Sequence, residues 1–264
     1  MKLLLSTRKQ DPYTIESLAQ RLGFNGIELL VSSRTEKIET GDTKRIKEAW
    51  AGSQLKTVKV VHAPNGIYDQ PRFISALANS VTIAKALGAE IVNIHPASCH
   101  SSFGGRANVL AGIQQIKKIP GGARGIKVCY EVLGLPNPQK PNHALQQAYA
   151  NPIAWAGDVL EWGLHGTIDI THIFSWGEDP VRIIKQLGKR IGHVHISDYN
   201  SEEGQHLFPG EGEVPWDEVL AALKEHAPSD LYLTFEPSNR YNLAEKEMEE
   251  RLQKAIKYIR KRLR

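Results

Sequence analysis

Ten histidines stand in this chain of 264 residues, and six of them, with a set of carboxylates, recur at one kind of position. His62 closes the run VVH, His95 closes VNIH, Glu131 closes VCYE and Glu236 closes LYLTFE. Asp169 and His172 stand in TIDITH, and His193, His195 and Asp198 in HVHISD. Glu28 lies in GIEL and His206 in QHLFPGEG. Imidazoles and carboxylates are the groups that hold divalent metals and move protons near neutral pH. Any one of them alone reads more readily as a capped or hydrogen-bonded strand end than as a ligand. Eight or more brought to one place would repel and protonate unless a cation offset the charge. The donor set fits Mn²⁺ or Zn²⁺, with Fe²⁺ also suitable, and imidazole disfavours Mg²⁺.

The elements that would position these residues form a repeat. Apolar, β-branched runs at Lys2–Ser6, Gly26–Leu30, Thr57–His62, Ile91–His95, Ile126–Glu131, Gly166–Ile170, Ile191–Ile196 and Leu231–Glu236 read as eight strands. Amphipathic stretches at Ile15–Leu22, Thr43–Leu55, Phe73–Leu87, Ala107–Ile119, Pro180–Leu187 and Trp216–Glu225 lie between them. Gly23, Gly88 and Gly188 stand at helix stops. Eightfold strand–helix alternation predicts a single (β/α)8 TIM barrel over residues 1–264, an α/β fold.

Alternation along each strand puts Val60 with His62, Cys129 with Glu131, Thr167 with Asp169 and Thr234 with Glu236 on the inward face. The polar residues then gather at the C-terminal mouth, where barrel enzymes do their chemistry. Glu131, Asp169, His195 and Glu236, on successive strands, can surround one ion. His62 and His95 can hold a second ion shared with Glu131, and His172 with His206 part of a third. The irregular segment Leu133–His143, with three prolines, reads as a lid or binding loop.

Composition narrows the partners. No apolar run is long enough to span a membrane, and two cysteines, Cys99 and Cys129, make no disulfide framework, so a cytoplasmic setting is expected. The net charge is +4, and the densest basic run, Lys254–Arg264, has Leu252, Ile256, Ile259 and Leu263 at helical spacing. Those charges read as the solvated face of a last helix. Arg8, Lys9, Arg34, Lys37 and Arg106 fall in loops, diluted by Glu36, Glu39, Asp69, Glu178, Asp179, Glu202 and Glu203. No continuous basic surface for nucleic acid emerges.

The motifs GFNGIEL, VVHAP, IVNIHPA, YEV, DITH, HVHISD, HLFPGEG and FEP, in that order, resemble the xylose-isomerase-like barrels, which include sugar isomerases and epimerases and the endonuclease IV group. The isomerase branch implies one divalent ion on Glu131, Asp169, His195 and Glu236. In that branch Glu131 and Glu236 also move protons, and His172 meets the substrate, a sugar or sugar phosphate. Arg240, in the Ser238-Asn239-Arg240 segment after the last strand, suits a phosphate anchor, and Asp198 is read as a further substrate contact. The endonuclease IV branch implies three zinc ions and abasic DNA, with His62, His95, His172 and His206 as added ligands. There an aspartate is expected two positions before His206, where this chain has Gly204. The sugar reading is the expectation, and the phosphodiesterase its alternative.

Overall fold

The computed structural model describes residues 1–7, 10–31, 53–64, 70–95, 110–114, 123–135, 151–237 and 243–264. Seven parallel strands lead round a barrel: β1 (Lys2–Ser6), β2 (Gly26–Leu30), β3 (Val58–His62), β4 (Ile91–Ile94), β5 (Lys127–Glu131), β6 (His165–Asp169) and β7 (Ile191–His195). An antiparallel hairpin follows, β8 (Asp198–Asn200) with β9 (Gly204–Leu207), and then the eighth barrel strand, β10 (Tyr232–Phe235). Closure is complete, because Lys2 to Leu5 of β1 pair in parallel with Tyr232 to Phe235 of β10. The fold is a TIM barrel, and its eight strands agree with those read from the sequence to within a residue at each end.

One of those small differences has a cause. The sixth strand stops at Asp169 and not at Ile170, because the Asp169 carboxylate caps helix α4 (Ile170–Ser175). Helix α1 (Pro12–Arg21) begins ahead of its apolar stripe: Asp11 accepts from the Thr14 N–H at 2.8 Å, and Pro12 opens the first turn. Helix α2 (Gln70–Leu87) likewise extends the stretch read from Phe73. Helix α3 (Pro152–Glu161) is not among the amphipathic stretches read above. Its signal is the pair Asn151-Pro152, in which Asn151 Oδ1 accepts from the Ala154 N–H at 2.8 Å. Helices α5 (Pro180–Leu187) and α6 (Trp216–His226) fall where expected. Of the stretch Thr43–Leu55, the described residues 53–55 are not helical, and the rest lies outside the described residues. Of Ala107–Ile119, residues 110–114 are helical and the others lie outside.

Strand parity sorts the core. Tyr130, Ile168, Leu233 and Phe235 face the helices and belong to one large apolar cluster. Leu4, Val60, Ile91, Cys129 and Tyr232 form a separate small cluster inside the barrel. Two residues further along their strands come His62, Glu131 and Thr234, so the polar groups sit directly above an apolar floor. Helix α7 (Glu245–Leu263) buries Met248, Leu252, Ala255, Ile256 and Ile259 and exposes Lys254, Lys257, Arg260 and Lys261. The basic run is therefore one face of a packed helix. Among the described residues, no helix is long and apolar enough to cross a membrane.

Candidate metal centre

Glu131, at the end of β5, is the hub. It is fully buried, and its two oxygens face different partners. Oε2 lies 3.3 Å from His62 Nε2 and 2.9 Å from His95 Nε2, and accepts a short hydrogen bond from the Asn93 side-chain amide. Oε1 lies 3.1 Å from His195 Nδ1 and 3.6 Å from His172 Nδ1. Burial pushes the Glu131 carboxyl up, but His95, His195 and His62 outweigh it and hold the group well below the usual carboxylate range.

His195, on β7, is equally crowded. Its Nδ1 has Asp169 Oδ2 at 3.5 Å and Glu236 Oε2 at 3.4 Å beside the Glu131 oxygen. Burial favours the neutral ring, yet Glu28, Glu131 and Glu236 together raise its pKa well above the ordinary histidine value. Asp169 divides its oxygens. Oδ1 accepts from the Thr171 N–H, the Thr171 hydroxyl and the His172 N–H at 2.8, 2.9 and 3.0 Å, while Oδ2 faces the centre. His206, on β9, lies 3.7 Å from Glu236 Oε2 and has φ of +67°, a left-handed backbone that a non-glycine residue adopts at a cost of about 1 kcal/mol or more.

A metal fits this donor set. Nε2 of His62, Nε2 of His95 and Oδ2 of Asp169 are buried and lack a well-aligned hydrogen bond, although Glu131 Oε2 lies 3.3 and 2.9 Å from the two imidazoles and His195 Nδ1 lies 3.5 Å from Asp169 Oδ2. Buried polar atoms of that kind call for a partner. Ligand atoms of Glu131, Asp169 and His195 lie within 4.8 Å of one another, as do those of His62, His95 and Glu131 and those of Asp169, His172 and His206. A cavity of about 460 Å³ opens onto His95, His172, His206 and Glu236, with Ser6, Thr7 and several apolar side chains across from them.

The structure thus brings together Glu131, Asp169, His195, Glu236, His62, His95, His172 and His206. Asp198 is fully buried at the start of β8. Its oxygens accept from the Tyr199, Gly210 and Val214 N–H groups and the Trp216 indole at 2.8–3.0 Å, so it holds the loop before α6. The Pro209-Gly210-Glu211-Gly212 turn is tied to Asp198 through the Gly210 N–H. Arg240, most of the segment Leu133–His143, and Arg8, Lys9, Arg34, Lys37 and Arg106 lie outside the described residues. The sequence reading of the site misses Asn93 and gives Glu28, noted in GIEL, no role. Asn93 shares an inward face with His95, a parity that could have found it. Glu28 sits on β2 with both oxygens near His195 Nε2, at 3.2 and 3.0 Å.

Residues 17–262 match the family model described as xylose isomerase-like TIM barrel. The chain belongs to this family. Among relatives of this xylose isomerase-like barrel, an uncharacterised protein of Mycobacterium leprae is 23% identical over 260 residues, 84% of each chain. Among solved structures, D-psicose 3-epimerase in the presence of D-fructose superposes with a TM-score of 0.70 at 16% identity, covering 100% of this chain and 99% of the other. The IOLI protein with a bound zinc atom gives a TM-score of 0.70 at 19% identity, covering 99% of both chains. At such identities the superpositions establish a shared fold.

Proposed function

We propose that this chain is a divalent-metal-dependent isomerase or epimerase of a sugar or sugar phosphate, acting as one domain over residues 1–264 in a cytoplasmic setting. The observation that carries the reading is the crowding at His195 Nδ1, which has oxygens of Glu131, Asp169 and Glu236 at 3.1, 3.5 and 3.4 Å. Three carboxylates and an imidazole converge there, and Glu236 also lines a cavity of small-molecule size together with His95, His172 and His206. The zinc of the IOLI protein and the sugar chemistry of D-psicose 3-epimerase, on the same fold, support it.

Glu131, Asp169, His195 and Glu236 would hold the ion, Mn²⁺ or Zn²⁺. Bound there, it supplies Lewis-acid stabilisation for negative charge developing beside a carbonyl. Glu131 and Glu236 come from β5 and the end of β10, with β6 and β7 between them, so they reach the substrate from two sides. One takes a proton from the carbon next to the carbonyl, and the other delivers one. His172 is oriented by its Nδ1, 2.8 Å from the Val132 carbonyl, which leaves Nε2 for a substrate hydroxyl. Arg240, four positions after Glu236, is the proposed anchor if the sugar is phosphorylated.

A second reading, a zinc phosphodiesterase acting on abasic DNA, draws on one observation: Glu131 presents its second oxygen to His62 and His95, and Asp169, His172 and His206 form a further group. Gly204 stands where that branch would place a carboxylate. Metal analysis with solvent exchange decides between them. One ion per chain, deuterium incorporation from D2O into candidate ketoses, and loss of that exchange in Glu131→Gln and Glu236→Gln are expected. Three zinc ions with incision of abasic duplex DNA would sink the isomerase reading.

A further inference from the structure

Glu28 has no part in the chemistry above, yet it is fully buried and aimed at one of the metal-facing side chains. Both of its oxygens approach the same ring nitrogen, His195 Nε2, at 3.2 and 3.0 Å, while the other nitrogen of that ring faces Glu131, Asp169 and Glu236. An isolated buried carboxylate is costly, and hydrogen-bond donors normally gather around it. Among the described residues, His195 hydrogen-bonds the Glu28 side chain through its Nε2.

The local backbone explains how it gets there. The pairing of β2 with β3 slips between Ile27 and Glu28, an irregularity of the kind that re-aims a side chain inside a barrel. Gly26 permits this close approach, since a Cβ at that position would lie 2.3 Å from the Thr57 carbonyl oxygen.

We propose that Glu28 is a positioning residue for the metal centre. A carboxylate at Nε2 holds the proton on that nitrogen, fixes the ring plane, and turns the Nδ1 lone pair toward the ion. Glu28 thereby acts through His195 and touches neither metal nor substrate. The inference rests on the metal reading of Glu131, Asp169, His195 and Glu236. It goes beyond that reading by giving the ligand imidazole a carboxylate partner from β2, three strands away round the barrel. The competing role is direct ligation, because Glu28, His193 and His195 also offer atoms within 4.8 Å of one another.

The test is titration of the metal-stripped full chain with Mn²⁺ alone, then with Zn²⁺ against a competing chelator, for the wild type, Glu28→Gln and Glu28→Ala. The expected result is a loss of about 10–100-fold in affinity, with the number of ions per chain unchanged. Circular dichroism checks that the variants fold. In case neither does, long-range ¹H–¹⁵N spectra of the Zn²⁺-loaded wild type provide an independent reading, and the His195 ring should carry its proton on Nε2. Unchanged affinity in folded variants, a proton on Nδ1, or the loss of one whole ion per chain would each overturn the positioning role. If the wild type bound no metal, the reading of the metal centre itself would fail, and that outcome is distinct from the others.

Discussion

Asp169 carries two separable duties, and replacing it in two ways should pull them apart. Oδ2 faces the candidate ion, with His195 Nδ1 at 3.5 Å and His172 Nδ1 at 3.6 Å. Oδ1 accepts three hydrogen bonds at the start of α4. Asp169→Asn keeps an oxygen for the cap and removes the charge and the ligand. Asp169→Ala removes all three and leaves two buried N–H groups and a hydroxyl without an acceptor. Because both variants lose the same charge, the difference between them isolates the cap. Loss of an N-cap costs about 0.5–2 kcal/mol, and stranding buried donors costs about 1–3 kcal/mol. Asp169→Ala should therefore be less stable than Asp169→Asn by roughly 1–2 kcal/mol, which for a chain of this size is a few degrees in Tm. Urea unfolding of metal-stripped protein measures this difference, and Zn²⁺ titration of the same samples measures the other duty. Both variants should lose tight metal binding. Equal stability of the two variants would refute the capping argument, and wild-type affinity in Asp169→Asn would remove Asp169 from the metal site.

Two further expectations concern the barrel beneath the site. A Cβ on Gly192 would lie 2.5 Å from Cys129 Sγ and 2.9 Å from His165 Cβ, so Gly192→Ala should destabilise by about 1–3 kcal/mol in urea, and no change would show that β7 yields there. The His165 pKa is lowered by burial, with Lys127 and Arg190 adding to the effect. The unfolded chain then binds a proton that the folded chain resists, so stability should fall as pH drops below the ordinary histidine value of about 6.5. Metal-free His165→Gln should lose less stability than wild type on acidification from pH 7. An NMR titration that placed His165 above its ordinary value would contradict the assignment.

Much of the fold and most of the candidate site could be read from local pattern. A buried parallel strand is a short apolar run of β-branched residues, and a polar group at its last position marks the mouth; both are properties of a few neighbouring residues. That is why β1 to β7 and β10, and His62, His95, Glu131, Asp169, His195 and Glu236, were legible. The environment of Asp198 was not legible, because a carboxylate after a strand looks the same locally whether it faces a ligand or, as here, three backbone N–H groups and an indole.

The sequence by itself determined the barrel, the end at which its imidazoles and carboxylates gather, and the donor types found there. Only the tertiary structure decided how those donors are shared. It gave one oxygen of Glu131 to His62 and His95 and the other to His195, and it split Asp169 between a helix cap and the centre. It also joined Glu28 to His195 across 167 positions of chain. The reason is geometric. Alternation along a strand records only which face a side chain takes, whereas the atoms that meet across a closed barrel depend on its stagger and on the slip between Ile27 and Glu28, which no local pattern encodes.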